Sequence, residues 1–297
     1  MDKTFSARLS ELSEIINKRL PQLVDISNVL TKEVSEAAAY SLSAGGKRLR
    51  PVLMREFYKM SSGDESLKYL DIFCTIELIH TFSLIHDDLP CMDNDDFRRG
   101  KPSCHKAYPE AIALLAGDQL CTLPYEIISK SAKEGIISAD VAVKLIYALS
   151  KAVGVCGMIG GQVIDMLSES REIPIETLDE LQKKKTGALI SAACEMGCIL
   201  ANAEDKCDAA REYANKLGLA FQIRDDILDV TGTFEQLGKP IGSDSQQNKS
   251  TYVSLLGLGK SEEICKELTE EAAKLLQRFE NNRFLTELTW SLLSRNN

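Results

Sequence analysis

The sequence predicts an all-α protein, and three features support this fold class. Apolar residues recur at helical spacing over most of the 297 residues. No convincing alternation of β-branched residues marks a strand. Hydrophobic residues make up 44% of the chain, which is enough to form a sizeable core. Because no shift in composition marks a boundary, we expect a single domain, residues 1–297, built as a helical bundle.

Glycine and proline residues set the expected helix boundaries. Pro21 ends the first segment, the glycines at 45 and 46 suit a helix end, Pro51 suits a helix start, and Pro124 predicts a kink. The expected helices cover residues 4–20, 22–43, 51–60, 66–88, 104–132, 139–168, 175–202 and 205–231, with two or three more in 251–294. Residues 231–250 lack periodicity, and a loop of this length in a compact domain is usually functional or disordered.

Composition and charge exclude several classes of function. The net charge of −9 and the pI of about 5.1 argue against a nucleic-acid partner. The polar start predicts no signal peptide. No apolar run is expected to reach membrane-spanning length, and we expect no stable membrane insertion. The nine cysteines include no CxxC pair, so we interpret them as reduced, buried thiols of a cytoplasmic protein.

The first acidic cluster lies in the sequence DDLPCMD and consists of Asp87, Asp88 and Asp93. The preceding segment is strongly helical, and Pro90 is expected to end the helix just past Asp88. Negative charge at a helix C-terminus is unfavourable because the helix dipole is already negative there. A bound cation would remove this repulsion.

The second acidic cluster lies in the sequence DDILD and consists of Asp225, Asp226 and Asp229. It also ends a long apolar helix, and Asp225 and Asp229 share a face with Gln222. Two solvated helix ends are the simple alternative, but the repetition of the pattern favours a hard divalent cation. Magnesium accepts one or two carboxylates together with substrate phosphate, whereas the few histidines and the cysteine pattern disfavour zinc.

Basic residues cluster beside glycines at four places in this acidic chain. The stretches are GGKRLRP, FRRGK, KKKTG, and the pair LGKPIG and NKST in the long loop. Arginine grips phosphate with two hydrogen bonds, while lysine acts as a point charge. Each cluster alone is typical of a solvated face, but together with the two acidic clusters they indicate two sites for phosphorylated anions.

These motifs, in this order, resemble those of the trans-prenyl diphosphate synthases, in particular the short-chain, bacterial farnesyl diphosphate synthase type. The resemblance covers almost the whole chain, through GGKRLRP, ELIHTFSLIHDDLPCMDNDDFRRGKPSCH, LAGDQL, GGQVIDM, KKKTGALI, FQIRDDILDVTG, LGKPIGSD and NKSTY. It implies an isoprenoid synthase type I fold, with ten or more helices around a central cavity. It also implies a homodimer that acts on prenyl diphosphates.

The resemblance assigns roles to individual residues. Both acidic clusters would bind magnesium, three ions per active site, with manganese as a possible substitute. Isopentenyl diphosphate would be held by Lys47, Arg50, His80 and Arg99. The allylic diphosphate would be held by Arg98, Lys185, Thr186, Gln222, Lys239 and Lys249. Gln162 and Asp165 would support these groups, although helix packing explains them nearly as well.

Product length is predicted from the helix before the first acidic cluster. Phe82 and Ser83 lie about one turn before Asp87, which places Phe82 roughly 7.5 Å along the helix from it. Farnesyl-producing relatives of the resembled type carry an aromatic residue there, with two extra residues inside the first aspartate motif, here Pro90 and Cys91. We therefore expect a C15 product from dimethylallyl and geranyl diphosphate.

Three alternatives remain open at this point. The same chemistry could give a C20 product, geranylgeranyl diphosphate. A terpene cyclase also uses an aspartate-rich motif, but GGKRLRP argues for an isopentenyl site that cyclases lack. A carboxylate-bridged di-metal bundle would use Glu77 and His80, which have the Glu-x-x-His spacing, but no second such pair occurs.

Overall fold

The computed structural model describes residues 3–169, 171–232 and 250–293, and helices dominate these ranges. The all-α prediction is confirmed. The helices are α1 Lys3–Arg19, α2 Lys32–Leu42, α3 Leu49–Ser62, α4 Leu70–Asp87, α5 Cys104–Ala107, α6 Glu110–Lys133, α7 Ala139–Val153, α8 Met158–Ser168, α9 Ile175–Gln182, α10 Ala188–Leu200, α11 Cys207–Thr231, α12 Tyr252–Leu256, α13 Leu258–Leu275 and α14 Arg283–Leu293.

Several expected boundaries were wrong. The helix expected over 22–43 begins only at Lys32, after a short 3₁₀ turn at Leu20–Leu23. The segments expected over 104–132, 139–168 and 175–202 are each interrupted. The third of them passes through a π-helical turn, Lys183–Gly187, between α9 and α10. Proline and glycine interrupt the first two, whereas Pro124 lies inside the continuous helix α6.

One small β-hairpin departs from the purely helical expectation. Strand β1, Phe97–Arg98, pairs antiparallel with strand β2, Lys101–Pro102. Arg99 and Gly100 form the turn, and both have positive φ angles of 53° and 76°. Positive φ at both central residues is the conformation that matches the twist of a tight hairpin. The hairpin fixes the positions of the basic residues in the sequence FRRGK.

The chain folds as two compact units. The first unit comprises Ser6–Arg55 and Asp64–Ile146, and the second comprises Met1–Phe5, Glu56–Gly63 and Tyr147–Asn297. The single domain expected over residues 1–297 stays a prediction.

Helix α4 forms the core of the first unit. It packs against α6, and α2 also lies against α6. Its side chains from Ile72 to Ile79 are buried without interruption, which is typical of a helix surrounded by protein rather than lying at a surface. Burial of the whole helix fixes the position of its C-terminal residue, Asp87.

Helix α11 has the same role in the second unit. It packs against α10 and α13. Its residues Ala220, Ile223 and Ile227 form a buried cluster with Leu178 of α9 and Tyr252 of α12. This cluster lies along the same turns of α11 that carry the second acidic cluster, so the packing fixes the position of those carboxylates.

Two other expectations need correction. The nine cysteines are free, but Cys91 and Cys156 are exposed and Cys121 is half-buried, so not all of them are core residues. By length and composition alone, Glu110–Lys133 and Ala139–Ser168 could cross a membrane, contrary to the sequence expectation. Core helices of soluble proteins pass the same test, and 33% and 44% of the two windows are buried.

Candidate active site

The first acidic cluster lies at the C-terminal end of α4, as the sequence predicted. Asp87 is the last helical residue and Asp88 caps the helix. The chain then turns back, and the Asp93 backbone N–H donates to the Asp87 carbonyl over 2.9 Å. This turn holds Asp93 beside Asp87, so the cluster forms locally.

Arg98 supplies the opposite charge to this cluster. Its Nε donates to both oxygens of Asp88, at 2.9 and 3.2 Å, and its Nη2 donates to Asp88 and to Asp95. Asp88 is buried, and burial raises the pKa of its carboxyl against the opposing effect of the Arg98 guanidinium. The resemblance assigned Arg98 to the allylic diphosphate, whereas the structure shows it gripping Asp88. The more exposed Asp87 and Asp93 are therefore better placed to bind a cation.

The first unit also brings two basic motifs together. Nη1 of Arg99, in the hairpin, donates to the carbonyl of Gly45. Gly46 has a φ of 135°, which favours glycine, and a Cβ atom there would lie 2.6 Å from Nη1 of Arg99, so the arginine side chain would have to shift. Folding thus joins GGKRLRP to FRRGK, which are about fifty residues apart in the sequence.

His80 marks the centre of this positively charged region. Burial lowers the pKa of His80 well below its usual value, and four neighbouring cations lower it further. Those cations are Arg50, Arg99, Arg48 and Arg98. Arg48 and Arg98 are paired with carboxylates, so Arg50 and Arg99 supply the positive charge beside the neutral imidazole that favours binding of an anion.

Arg50 contributes a hydrogen-bond donor that is not satisfied within the described residues of this region. Its Nε atom is buried and has no hydrogen-bond partner within the described residues. Burial lowers the pKa of Arg50, and the Arg99 guanidinium lowers it further, against the opposing Glu77 carboxylate. Lys47, also predicted here, is exposed, and its carbonyl accepts from Ser13 at 3.1 Å.

Arg48 has a structural role that the sequence did not reveal. Its side chain is buried, and it donates to Glu77 at 2.8 Å, to Asn17 at 2.7 Å and to the Leu42 carbonyl at 2.5 Å. Glu77 is therefore committed to an ion pair with Arg48. This pairing disfavours the di-metal alternative, which needs the Glu77 carboxylate as a metal ligand.

Phe82 lies in the core of the first unit. It is 8% exposed, and its ring meets the His86 ring edge-on at 4.8 Å between centroids. His86 in turn is hydrogen-bonded to the Leu114 carbonyl on α6 at 3.1 Å. Ser83 is half-buried and donates to the His80 carbonyl at 2.9 Å, so its hydroxyl is engaged by its own helix.

The second unit contains a cavity of about 180 Å³ that gathers several predicted residues. The lining includes Asp165, Lys185, Thr186, Gln222 and Asp226. Lys185 Nζ donates to Asp165 at 2.5 Å, and the Thr186 hydroxyl donates to the Gln222 side-chain oxygen at 3.4 Å. Asp165, first considered a packing or supporting residue, holds Lys185 in the cavity.

The π-helical turn positions these groups. A Cβ atom on Gly161 would lie 2.2 Å from the Lys185 backbone nitrogen, so glycine lets α8 approach the turn closely. Single π-turns inside helices occur often at functional sites. Consecutive residues of a regular helix project in different directions. Here the turn places both Lys185 and Thr186 at the cavity.

A hydrogen bond from a backbone N–H, together with helix packing, holds the second acidic cluster in place. Asp226 and Asp229 are buried, and Asp225 is half-buried. Asp226 accepts a hydrogen bond from the Tyr252 backbone N–H at 2.9 Å, and the Tyr252 hydroxyl donates to Asp179. Sequence reasoning had included Tyr252 only within the NKSTY motif and had given it no role.

Some predicted groups are not tested by the structure. Lys239 and Lys249 lie outside the described residues, as do most of the 231–250 segment and the C-terminal SRNN. Among the described residues, no group of three or more His, Cys, Asp or Glu side chains forms a metal site by itself. The aspartates of the two acidic clusters nevertheless fit magnesium, which takes few carboxylates and completes its coordination with water and phosphate.

Comparisons with known proteins place this arrangement in a family. Residues 31–288 match the polyprenyl synthetase family. The chain is 41% identical to a geranylgeranyl diphosphate synthase of Cyanophora paradoxa, over 97% of this chain and 96% of that protein. It is 45% identical to a farnesyl diphosphate synthase of Geobacillus stearothermophilus, over 78% of this chain and 77% of that protein.

Solved structures agree with this placement. A geranylgeranyl pyrophosphate synthetase from Pyrococcus horikoshii superposes with a TM-score of 0.88, at 27% identity and 99% coverage of both chains. An FPP/GFPP synthase from Zymomonas mobilis superposes with a TM-score of 0.86, at 35% identity, over 99% of this chain and 100% of that one. With its aspartate, arginine and lysine motifs in the family's order, the chain belongs to the polyprenyl synthetase family.

Proposed function

We propose that this prenyltransferase joins isopentenyl diphosphate to dimethylallyl and geranyl diphosphate, and that it stops at the C15 product, farnesyl diphosphate. Family membership supports prenyl chain elongation. The observation that carries the proposed product length is the buried ring of Phe82, about one helical turn before Asp87 on α4. A bulky, well-packed ring at this position would block a longer tail.

The described residues suggest a division of labour between the two units. Arg50, Arg99 and His80 would hold the diphosphate of the isopentenyl substrate, because they form a positively charged region with an unpartnered donor on Arg50. Lys185 and the second acidic cluster would hold the allylic diphosphate, Lys185 directly and the carboxylates through magnesium. Magnesium, when bound, would neutralise the allylic diphosphate and favour its departure as pyrophosphate.

The remaining steps need no side-chain nucleophile. Loss of pyrophosphate would leave an allylic cation, the isopentenyl double bond would attack it, and the departing pyrophosphate would accept the proton that the resulting cation loses. The oxygens of Thr186 and Gln222 line the cavity and would stabilise positive charge nearby. The protein's contribution is to align the two substrates and to exclude water from the cation.

Incubation of the purified chain with labelled isopentenyl diphosphate, geranyl diphosphate and magnesium tests the proposed function. We expect a C15 product, and no turnover when a chelator removes the metal. Product of another length would refute the length assignment, and full activity in the presence of chelator would refute the metal-dependent chemistry.

Phe82→Ala tests the residue proposed to limit chain length. We expect the variant to release C20 product, because the shortened side chain opens space for one more isoprene unit. Phe73→Ala is the matched control, since Phe73 is a buried phenylalanine on the same helix. The control should lose stability but keep the C15 product; a Phe82→Ala enzyme that makes nothing longer than C15 would disprove the assignment.

A C20 product is the second candidate. Relatives named geranylgeranyl diphosphate synthase align over nearly the whole chain, so similarity alone supports both lengths. Farnesyl diphosphate as the preferred allylic substrate in a competition assay would favour this alternative.

The proposed assembly is a homodimer. Leu114 and Leu115 on α6 and Val143 on α7 are 44%, 48% and 66% exposed, and a second copy of the chain would cover them. Light scattering after size exclusion should give twice the chain mass of 32.8 kDa. Leu115→Asp should shift the mass to that of the single chain. A single-chain mass for the unaltered protein would refute the dimer.

Cytoplasmic location and the absence of stable membrane insertion also stay proposals.

A further inference from the structure

The second unit contains another cavity, which none of the proposed substrate-binding residues lines. Its volume is about 550 Å³, compared with about 180 Å³ for the cavity at Lys185. Pockets for small ligands usually range from about 300 to 1,000 Å³. Four alanines form part of its wall and leave space between the helices: Ala148 and Ala152 on α7, and Ala188 and Ala192 on α10.

Positive charge dominates the polar part of this cavity. The lining contains four cations and two carboxylates: Lys151, Lys183, Lys184, Arg211, Glu180 and Glu195. Both carboxylates are already paired, Glu180 with Lys184 at 3.3 Å and Glu195 with Arg211. Lys151 and Lys183 form no ion pair with any described residue, so the cavity has two uncompensated ammonium groups.

The π-helical turn connects this cavity to the one at Lys185. Lys183 and Lys184, at the start of the turn, line the larger cavity, whereas Lys185 and Thr186 line the smaller one. The sequence had grouped these lysines into a single cluster, and the turn divides them between two cavities. An anion bound to Lys183 would therefore contact the same turn that positions Lys185.

We propose that the larger cavity is a second diphosphate-binding site, in which Lys151 and Lys183 bind the anion. The hydroxyl of Ser191 and the amide of Asn215 also line the cavity and can donate hydrogen bonds to a diphosphate. The alanine wall can accept the apolar part of a prenyl diphosphate. Free pyrophosphate and a prenyl diphosphate share the chemistry that this site recognises.

Protection of Cys156 from alkylation tests the site directly. Cys156 is exposed and lines the cavity, while Cys121 is half-buried on α6 and lines neither cavity of the second unit. Pyrophosphate, added with chelator and without magnesium, should slow iodoacetamide labelling of Cys156 several-fold and leave Cys121 unaffected. Peptide mass spectrometry measures both rates in one sample.

Charge reversal identifies the residues responsible. In Lys151→Glu/Lys183→Glu, the pyrophosphate concentration that gives half-protection should rise at least about tenfold, because two charge-assisted contacts are lost. Lys266→Glu is the matched control, since Lys266 is an exposed lysine of the second unit that does not line the cavity. Absence of Cys156 protection in the unaltered chain, or equal protection in the double variant, would overturn the proposal.

Two further ligands distinguish the source of the diphosphate. If farnesyl diphosphate protects Cys156 at a concentration at least about tenfold lower than the concentration of pyrophosphate that is needed, the alanine wall binds the prenyl tail. If the two ligands protect Cys156 at the same concentration, free pyrophosphate is the ligand. Protection by uncharged farnesol would contradict the role of the lysines. The choice of a prenyl diphosphate rests on the proposed function, but the protection assay needs neither magnesium nor turnover. The two proposals can therefore fail separately.

Discussion

The two acidic clusters have the same sequence pattern but obtain their opposite charge in different ways. In the first cluster, Asp88 is bound by Arg98 of the adjoining hairpin. In the second, Asp226 accepts from the Tyr252 backbone, and the nearby cation Lys185 belongs to a different helical segment held by Asp165. The first cluster is therefore balanced by a local loop, and the second depends on packing between helices.

This difference also separates the ligands that each region can hold. Around the first cluster, four arginines lower the pKa of His80, so the region favours an anion directly. In the second unit, the smaller cavity has only Lys185 as a described cation, and that lysine is already paired with Asp165. A diphosphate in this smaller cavity therefore depends more on magnesium.

Asp93→Asn and Asp225→Asn test whether both clusters bind catalytic metal. We expect turnover to fall by about a thousandfold in each, which corresponds to about 4 kcal/mol of lost transition-state stabilisation. Steady-state rates at increasing magnesium concentration measure this. Asp96→Asn is the control, because Asp96 lies in the same loop but pairs with Lys106 at 2.8 Å. Rates within about tenfold of the unaltered enzyme would contradict metal binding by that cluster.

Arg50→Ala and Lys185→Ala sharpen the comparison between the two substrates. Arg50→Ala should raise the KM for isopentenyl diphosphate, and Lys185→Ala should raise the KM for the allylic substrate. Each increase should be about 10- to 100-fold, because a charge-assisted hydrogen bond contributes about 1.5–3 kcal/mol. Lys106→Ala serves as the control. A rise in the same KM for both variants would show that the assignment of substrates is wrong.

Gly161→Ala and Gly117→Ala compare the packing of the two units. At Gly161 the new Cβ meets the Lys185 backbone at 2.2 Å, whereas at Gly117 it meets the His86 ring at 2.2 Å. A ring can rotate away but a backbone cannot, so Gly161→Ala should lower the free energy of unfolding more. We expect Gly161→Ala to lower the free energy of unfolding by about 3 kcal/mol and Gly117→Ala to lower it by about 1 kcal/mol, both measured by urea unfolding. The reverse order would contradict the close approach of α8 to the π-turn.

His80→Gln tests the positive charge of the first region through pH. Burial and the four arginines lower the pKa of His80 in the folded protein, while the unfolded chain keeps its ordinary value. Below about pH 6.5 the unfolded state therefore binds more protons than the folded state, and stability falls as the pH falls. Unfolding midpoints between pH 7 and pH 5 should drop less for His80→Gln than for the unaltered chain. Parallel curves would show that the region is not strongly positive.

The sequence predicted the all-α class and the position of α4 well because both follow from local pattern. Pro90 ends α4, and the structure ends that helix at Asp87 with Asp88 as its cap. The boundaries that failed lie where helical periodicity continues across a break. The π-turn at Lys183–Gly187 keeps nearly helical spacing, so periodicity could not reveal it.

The candidate site was only partly accessible from sequence. Arg98 was predicted to be a site cation, but its pairing with Asp88 depends on a hairpin whose two-residue strands are too short to be recognised in the sequence. Arg48 resembles its neighbour Arg50 in sequence, yet one is buried against Glu77 and the other has an unpartnered nitrogen. Arg48 precedes α3 and has a positive φ of 49°, whereas Arg50 lies within α3, and only tertiary contacts show which of the two guanidinium groups is paired.

The sequence by itself determined the helical class, the family, and the residue types expected to bind diphosphate and metal, because periodicity and motif order are properties of the chain. Tertiary structure decided which charges are already neutralised and which remain available, as Lys183 and Lys185 show by lining different cavities. The physical reason is that a charge is available only when folding leaves it without a close opposite charge, and most such partners come from distant parts of the chain.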